Sequence, residues 1–323
     1  MQKRRIGIVG YGNIGRGVEK AVNSTPDMEL VGVFTRRDPK TLKIASESPV
    51  YSVDSAWTMR DNIDVMILCG GSATDLAVQG PEFAAAFNTV DSFDTHAKIP
   101  EYLAKMDSVA KTTAAIISCG WDPGLFSMLR MLAGATLPNG TDYTFWGHGV
   151  SQGHSDAIRR ISGVRSAVQY TVPIERAVSA VRAGENPVLT TREKHTRECF
   201  VVAEGGADTA KIEETIKNMP NYFADYDTFV TFITQDEFDA SHSQMPHGGM
   251  VLRSGKTGDN KHVVEFSLKL ESNPEFTGSV LVACARAAAR LACEGRFGAC
   301  TLLDIPLSYL SGQDRASLIK DLL

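Results

Sequence analysis

Gly10-Tyr11-Gly12-Asn13-Ile14-Gly15 is the most restrictive feature of this sequence because of what surrounds it. It follows the short apolar run Arg5-Ile6-Gly7-Ile8-Val9. It precedes a stretch in which Ile14, Val18, Ala21 and Val22 recur at helical spacing. A buried strand that turns through glycines directly into a helix has few folds open to it. Gly10 permits the tight turn, Gly12 lets a ligand approach the backbone, and Gly15 lets helix and strand pack closely. The free N–H groups and positive dipole end of such a helix suit a diphosphate. The motif therefore reads as the start of a dinucleotide-binding βαβ unit, with a bare glycine turn as the alternative.

The rest of the chain extends this pattern and then changes it. Glu29 to Phe34, Asp64 to Cys69, Thr89 to Phe93 and Ala114 to Cys119 read as further strands, with helices near 74–88 and 98–111. Alternating strands and helices imply a parallel sheet with right-handed crossovers. After about residue 122 a helix near 124–136 leads into longer strands: Asp142 to Trp146, Gln169 to Pro173, Cys199 to Ala203, Tyr226 to Ile233, Gly249 to Arg253 and Val263 to Leu270. Helices near 175–183 and 208–218 interrupt them, and Ser254-Gly255-Lys256-Thr257-Gly258 is a turn signal. The expected fold is α/β, a doubly wound Rossmann sheet over 1–122, followed by an α+β domain with a mixed sheet over 123–278. The alanine-rich helix Ser279 to Glu294 is expected to pack back on the first domain with the rest of 279–323. A length of 323 residues suits two domains.

Composition removes several functional classes. A net charge of −5 gives no footprint for nucleic acid or an anionic membrane. No apolar run reads as approaching the ~20 residues that span a bilayer. Lys3, Arg4 and Arg5 run at once into a strand rather than a signal peptide, so a cytoplasmic location is expected. The six cysteines are scattered without a C-x-x-C pair and read as buried thiols in a reducing compartment. The histidines lack metal-ligand spacing, so no metal is expected.

Cofactor choice is read about 20 residues past the glycine loop, where an NAD site usually carries Asp or Glu. This chain has Thr35-Arg36-Arg37 there, with no acid before Asp38. Two guanidinium groups and a hydroxyl suit a 2′-phosphate, which points to NADP(H). A solvated surface turn is the bland reading. The small residues of Cys69-Gly70-Gly71-Ser72-Ala73-Thr74 allow a cofactor close to backbone at the end of the third strand. The fourth and fifth strands end in Asp91-Ser92-Phe93-Asp94 and Gly120-Trp121-Asp122-Pro123-Gly124. Acids beyond strand ends are placed to hold an ammonium group near a nicotinamide. Asp122 could instead cap the next helix, with Pro123 at its first position.

Val9-Gly10-Tyr11-Gly12-Asn13-Ile14-Gly15-Arg16 and Gly120-Trp121-Asp122-Pro123-Gly124, with Thr144-Phe145-Trp146-Gly147, Ser151-Gln152-Gly153-His154-Ser155-Asp156-Ala157-Ile158-Arg159-Arg160, Met245-Pro246-His247-Gly248-Gly249 and Asn273-Pro274-Glu275-Phe276, resemble the meso-diaminopimelate dehydrogenase family over essentially the whole chain. The resemblance implies a homodimeric enzyme of lysine and diaminopimelate biosynthesis. Its reaction would be NADP-dependent oxidative deamination of the D-centre of meso-2,6-diaminopimelate to L-2-amino-6-oxopimelate, ammonia and NADPH. It implies catalytic Asp94 and Asp122 at the D-amino group and the Gln152-Gly153 backbone near the D-carboxylate. Trp146, Thr171, Arg197, His247 and Asn273 would lie at the L-centre. It also implies cofactor contacts from Gly10, Tyr11, Gly12, Asn13 and Ile14, from Thr35 to Arg37, from Cys69, Gly70, Ser72, Ala73 and Thr74, and from Asp122, Pro123 and Gly124.

Residue chemistry agrees in part, since Arg197 suits a bidentate carboxylate contact and His247 can donate to the same group. Taken alone, Arg197 reads as exposed on the charged strand edge Arg192 to Glu198, His247 as part of a glycine loop, and Trp146 as core. His154 is a lesser candidate by its proximity in sequence. A broader D-amino acid dehydrogenase and a non-catalytic NADP sensor are the competing readings.

Overall fold

The computed structural model describes residues 3–323, and the side chain of Ala73, a sequence-level cofactor candidate, lies outside that description. The chain divides into two compact units, one made of 1–128 with 274–323 and the other of 129–273.

The first unit carries β1 (Arg4–Val9), β2 (Met28–Thr35), β3 (Val50–Ser52), β4 (Val65–Leu68), β5 (Thr89–Asp91) and β6 (Ala114–Ile116). The second carries β7 (Gly140–Trp146), β8 (Gly149–Val150), β9 (Val164–Pro173), β10 (His195–Ala203), β11 (Asp227–Phe232), β12 (His247–Thr257) and β13 (Asn260–Leu270). A last strand, β14 (Gly298–Cys300), returns to the first. Four helices matter below: α1 (Asn13–Asn23), α2 (Ala77–Ala84), α3 (Ile99–Val109) and α4 (Leu125–Thr136).

The first unit is a seven-stranded sheet in the order β14-β6-β5-β4-β1-β2-β3, with every pairing parallel. Alternate side chains feed two cores, as a sheet covered on both faces requires. Ile6, Ile8 and Ile67 join one with Val18 of α1, while Val9, Met66 and Leu68 join the other with Phe83 of α2 and Tyr102 of α3. The short strands β3 (Val50-Tyr51-Ser52) and β14 (Gly298-Ala299-Cys300) are not part of a longer apolar run, and the sequence reading omits both.

The helix Asn273–Cys293 corrects one expectation, because its length and composition alone would allow a membrane span. Leu281, Cys284, Ala285, Ala287 and Ala288 are instead buried in the first core. Its buried Arg286 donates from Nε and Nη2 to both oxygens of Asp27, each at 2.8 Å. Arg4 Nη1 reaches the same carboxylate at 2.8 Å.

The second unit holds a four-stranded sheet, β11-β10-β9-β8, and a three-stranded one, β13-β12-β7. Only the β10–β11 pair is parallel, so a mixed and an antiparallel sheet coexist. Of the six cysteines, Cys69, Cys119, Cys199 and Cys284 are buried as expected, but Cys293 is exposed near the end of its helix.

The Arg286 guanidinium holds the Asp27 carboxyl below its usual range. A depressed carboxylate pKa contributes stability that is present above the unfolded pKa and is lost as pH falls through the folded value. Asp27→Asn is expected to cost about 3 kcal/mol at neutral pH, because it leaves a buried guanidinium without its counter-charge. Its deficit against the parent in thermal unfolding should shrink below about pH 4. An equal deficit at pH 3 and pH 7 would exclude this account.

Candidate active site

The turn after β1 is pinned between its neighbouring strands. Gly10 N donates to Phe34 O at 2.9 Å, and Cys69 N donates to Val9 O at 2.8 Å. Gly10 has φ +88°, and a Cβ on Gly15 would lie 2.3 Å from Gly10 O, so both positions need glycine. A Cβ on Gly12 would meet nothing within 4 Å. Gly12 is also the N-cap of α1 and offers no side chain to the helix amides. Gly12 borders a cavity of about 420 Å³ that is also lined by Gly10, Tyr11, Thr35, Arg36, Arg37, Cys69, Gly70 and Gly71.

At the far rim, Arg37 Nη2 donates to Tyr11 O at 3.1 Å, and Arg37 N donates to Thr35 Oγ1 at 3.1 Å. Arg36 pairs with Asp75 at 2.7 Å. An open glycine, an uncapped helix start and two guanidinium groups at one cavity fit a dinucleotide with a 2′-phosphate. Sequence reasoning missed Asp75 and Gln79, which also line this cavity. It missed Glu19 as well, because a Glu on an amphipathic helix reads as solvent-facing. Glu19 is fully buried and accepts from the Tyr11 hydroxyl, from Ser46 N at 2.7 Å and from Ala45 N at 3.2 Å. Burial and this bond push the Tyr11 phenol up to about 12, so it remains a donor. The pair ties the glycine turn to the segment that follows β2.

Asn13, Ile14, Ser72, Thr74, Asp122, Pro123 and Gly124 are not among the residues that line the cavity. Asn13 and Ile14 open α1, and Ser72 and Thr74 lie in the turn after β4, where Ser72 Oγ accepts from Asp94 N at 3.0 Å. Asp94 is exposed beyond β5. Asp122, Pro123 and Gly124 form the turn after β6, in which Trp121 pairs with Gly124. Because α4 begins at Leu125, Pro123 is not at a first helical position, and that part of the capping alternative is corrected.

The second unit gathers the other candidates at neighbouring strand ends. Arg197 lies opposite Thr171 across β9–β10, and its Nη1 donates to Thr171 Oγ1. The expectation of an exposed edge is wrong here: β10 is flanked by β9 and β11, and Arg197 is 6% exposed. Its guanidinium carbon lies 3.8 Å from the centre of the Tyr226 ring. Its buried Nε has no hydrogen-bond partner, and no carboxylate pairs with it among the described residues. Burial lowers its pKa, although arginine retains its proton in proteins.

Trp146 ends the edge strand β7 and is 40% exposed, so it is not the core residue its apolar body suggests. Its backbone N–H donates to His195 Nε2 at 2.9 Å, and the rings stack with centroids 5.6 Å apart. His247 opens β12 rather than lying in a loop, and Gly248 N donates to its Nδ1 at 2.7 Å. Gly147 N donates to Gly248 O at 2.9 Å, which brings the Trp146 and His247 ends together. Met245 joins two more candidates, with Gln152 Nε2 3.2 Å from its Sδ and Asn273 N donating to its O at 3.0 Å. A Cβ on Gly153 would meet nothing within 4 Å.

Burial first, then Arg197, lowers the pKa of both His154 and His195 to about 4. Both rings are therefore neutral at pH 7, and His154 Nδ1 lies 2.7 Å from Ser151 Oγ. His195 was missed because it begins a strand with no motif around it. The unit thus holds one unpaired buried cation among neutral polar groups, a setting for one carboxylate.

A family model of the diaminopimelic acid dehydrogenase C-terminal domain matches residues 120–272. The meso-diaminopimelate D-dehydrogenase of Lysinibacillus sphaericus is 63% identical over 326 residues, covering 100% of both chains. The solved structure of Corynebacterium glutamicum DAP dehydrogenase in complex with DAP is 46% identical, with a TM-score of 0.92 and 100% of both chains covered. An engineered D-amino acid dehydrogenase bound to NADP+ is 44% identical, with a TM-score of 0.87 over 100% of both chains.

The cavity rim yields a cofactor prediction. Arg36→Ala is expected to weaken NADPH binding about tenfold or more while changing NADH binding less than about twofold, since a charged hydrogen bond contributes roughly 1.5–3 kcal/mol. Fluorescence titration with both nucleotides measures this. Equal losses for the two would remove Arg36 from the 2′-phosphate site.

Proposed function

Since the chain belongs to the meso-diaminopimelate D-dehydrogenase family, we propose that the residues described above divide the reaction between the two units. The enzyme is an oxidoreductase acting on a CH–NH2 group. It converts the D-centre of meso-2,6-diaminopimelate to the ketone of L-2-amino-6-oxopimelate, releasing ammonia, and NADP is the oxidant. The reverse reaction is a reductive amination. The first unit, near the expected 1–122 with 279–323, takes the dinucleotide. Gly12 and the start of α1 take its diphosphate, and Thr35, Arg36 and Arg37 its 2′-phosphate. When bound, the nicotinamide supplies the acceptor for the hydride on the D-α-carbon.

Asp94 and Asp122 hold the D-ammonium group and take up the protons that it must lose. Loss of a proton from nitrogen and hydride from carbon leaves an imine. Water adds to that carbon, and ammonia leaves as the carbonyl forms. The second unit, near the expected 123–278, binds the rest of the substrate. Gln152 and Gly153 serve the D-carboxylate, while Trp146, Thr171, His247 and Asn273 surround the L-centre. The observation that carries this reading is the buried Arg197 guanidinium with no protein carboxylate. Burying such a charge unpaired is costly, and a substrate carboxylate relieves that cost. Cytoplasmic residence follows from the nature of this biosynthetic reaction.

A homodimer is supported by an apolar face of the second unit. Leu132 of α4 and Val264 of the edge strand β13 are exposed. Leu129, Ala133, Val251 and Phe266 join Leu132 and Val264 around a cavity of about 180 Å³. An exposed apolar edge strand favours association with another copy.

Two measurements test this reading. With NADP, reduction should be seen with meso-diaminopimelate and not with the LL isomer or D-lysine, and Arg197→Met should lower kcat/KM for the meso isomer about 100-fold. Normal kinetics in that variant would remove Arg197 from the substrate site, and equal activity on D-lysine would favour the broader D-amino acid dehydrogenase. Separately, Val264→Asp is expected to shift a dimer to monomer in analytical ultracentrifugation, because a charge is placed in an apolar contact. An unchanged mass would move the interface elsewhere.

A further inference from the structure

We propose that Asp91 is a positioning residue that sets the two amine-binding carboxylates, an inference that rests on the assignment of Asp94 and Asp122 above. Asp91 ends β5 and is fully buried. It makes contact with both chain segments that carry those carboxylates out of the sheet. Its Oδ1 accepts from Phe93 N at 3.0 Å and from Ser118 N at 3.1 Å. Its own carbonyl accepts from Cys119 N at 2.8 Å. Phe93 directly precedes Asp94, while Ser118 and Cys119 lead into the turn that bears Asp122.

The geometry has a specific need for this carboxylate. Ser118 has φ 56°, a left-handed conformation unfavourable for a residue with a side chain, so its amide direction must be held from outside. The Oδ2 of Asp91 accepts from the Tyr102 hydroxyl of α3 at 2.8 Å, which fixes the carboxylate plane. The Tyr102 ring in turn stacks on Phe93 with centroids 4.1 Å apart. A core of this composition would accept an apolar residue at position 91 with less desolvation. Burial pushes the Asp91 carboxyl up to about 6 against the three donors that favour its ion. The titratable groups facing it are the Tyr102 phenol and the Cys119 thiol. A carboxylate retained there serves the two backbone turns it holds.

The test uses the full chain. Asp91→Val keeps the volume and removes the acceptors, whereas Asp91→Asn keeps an oxygen for both amides. Asp91→Val is expected to lower kcat/KM for meso-diaminopimelate about 100-fold, with the NADPH Kd within about twofold of the parent, because a small misplacement of reacting groups is costly. Asp91→Asn should recover activity to within about tenfold. Parent-like kinetics in Asp91→Val overturn the proposal. So does an equal loss of turnover and NADPH affinity that Asp91→Asn fails to repair, which is the pattern of general destabilisation. Should Asp91→Val not fold, Tyr102→Phe decides: a rise in substrate KM of about threefold with unchanged NADPH affinity supports the role, and an unchanged KM overturns it. Asp94→Asn and Asp122→Asn are measured alongside. If both stay fully active, the amine-site assignment fails and the proposal with it. If both are inactive while Asp91→Val is normal, only the positioning role is lost.

Discussion

Everything in the first unit depends on how a parallel sheet ends. At the carboxyl edge of β1 the strand order reverses, with β2 on one side and β4 on the other. Gly10 N still donates to Phe34 O and Cys69 N to Val9 O, so both ladders run up to the base of the glycine turn. Gly12, the N-cap of α1, offers no side chain to the helix start. Unsatisfied donors at a helix start are a cost that an anionic ligand removes. The cavity is thus a consequence of topology, and the glycines are what keep it open. The arginines after β2 line the same cavity and put positive charge at its rim.

The second unit reaches ligand affinity by a different route. Its strands β9 and β10 enclose a guanidinium that no carboxylate neutralises among the described residues. Tyr226 and Thr171 satisfy part of it through its face and one Nη1. Two histidines nearby are kept neutral by burial and by the same positive charge. The result is one buried positive charge set among neutral donors and acceptors, a setting that suits a carboxylate. Such a site must be buried to work, since exposed guanidinium groups gain little from pairing.

Much of the fold was legible because buried parallel strands and amphipathic helices write their periods into the chain. β1, β2, β4 and β6 lie in apolar runs, β5 opens the run Thr89 to Phe93, and the glycine loop supplies their context. β3 and β8 lie in no such run and leave nothing to read. The misjudged side chains have a common cause. Arg197 and Trp146 were assigned exposure from residue type, but exposure is set by position in the sheet. A charged residue on the inner strand β10 is buried, and an indole at the end of the edge strand β7 is not. His247 shows the same limit at a boundary, where Pro246 and two glycines read as a loop although the residue already pairs with Leu270. For the chemistry, motif spacing led to the glycine loop and to the acids after β5 and β6.

Glu19 and Asp91 show what sequence reasoning has no means to find. Both are fully buried carboxylates, and both accept backbone amides from turns that border the site. Their titration moves in opposite directions. Burial opposes ionisation in each, but the bonds from Ser46, Tyr11 and Ala45 outweigh it at Glu19 and hold that carboxyl below its usual value. At Asp91 burial outweighs the bonds from Phe93, Tyr102 and Ser118. The donors are similar in kind, so the sign follows from how burial balances them at each carboxyl. A buried acid in a loop-bearing core is therefore better judged by the amides it collects than by its distance from the ligand. By that measure these two residues belong to the site's construction as much as the residues that would touch substrate. Neither carries any local motif, because, Phe93 apart, their partners come from segments between 8 and 27 residues away in sequence.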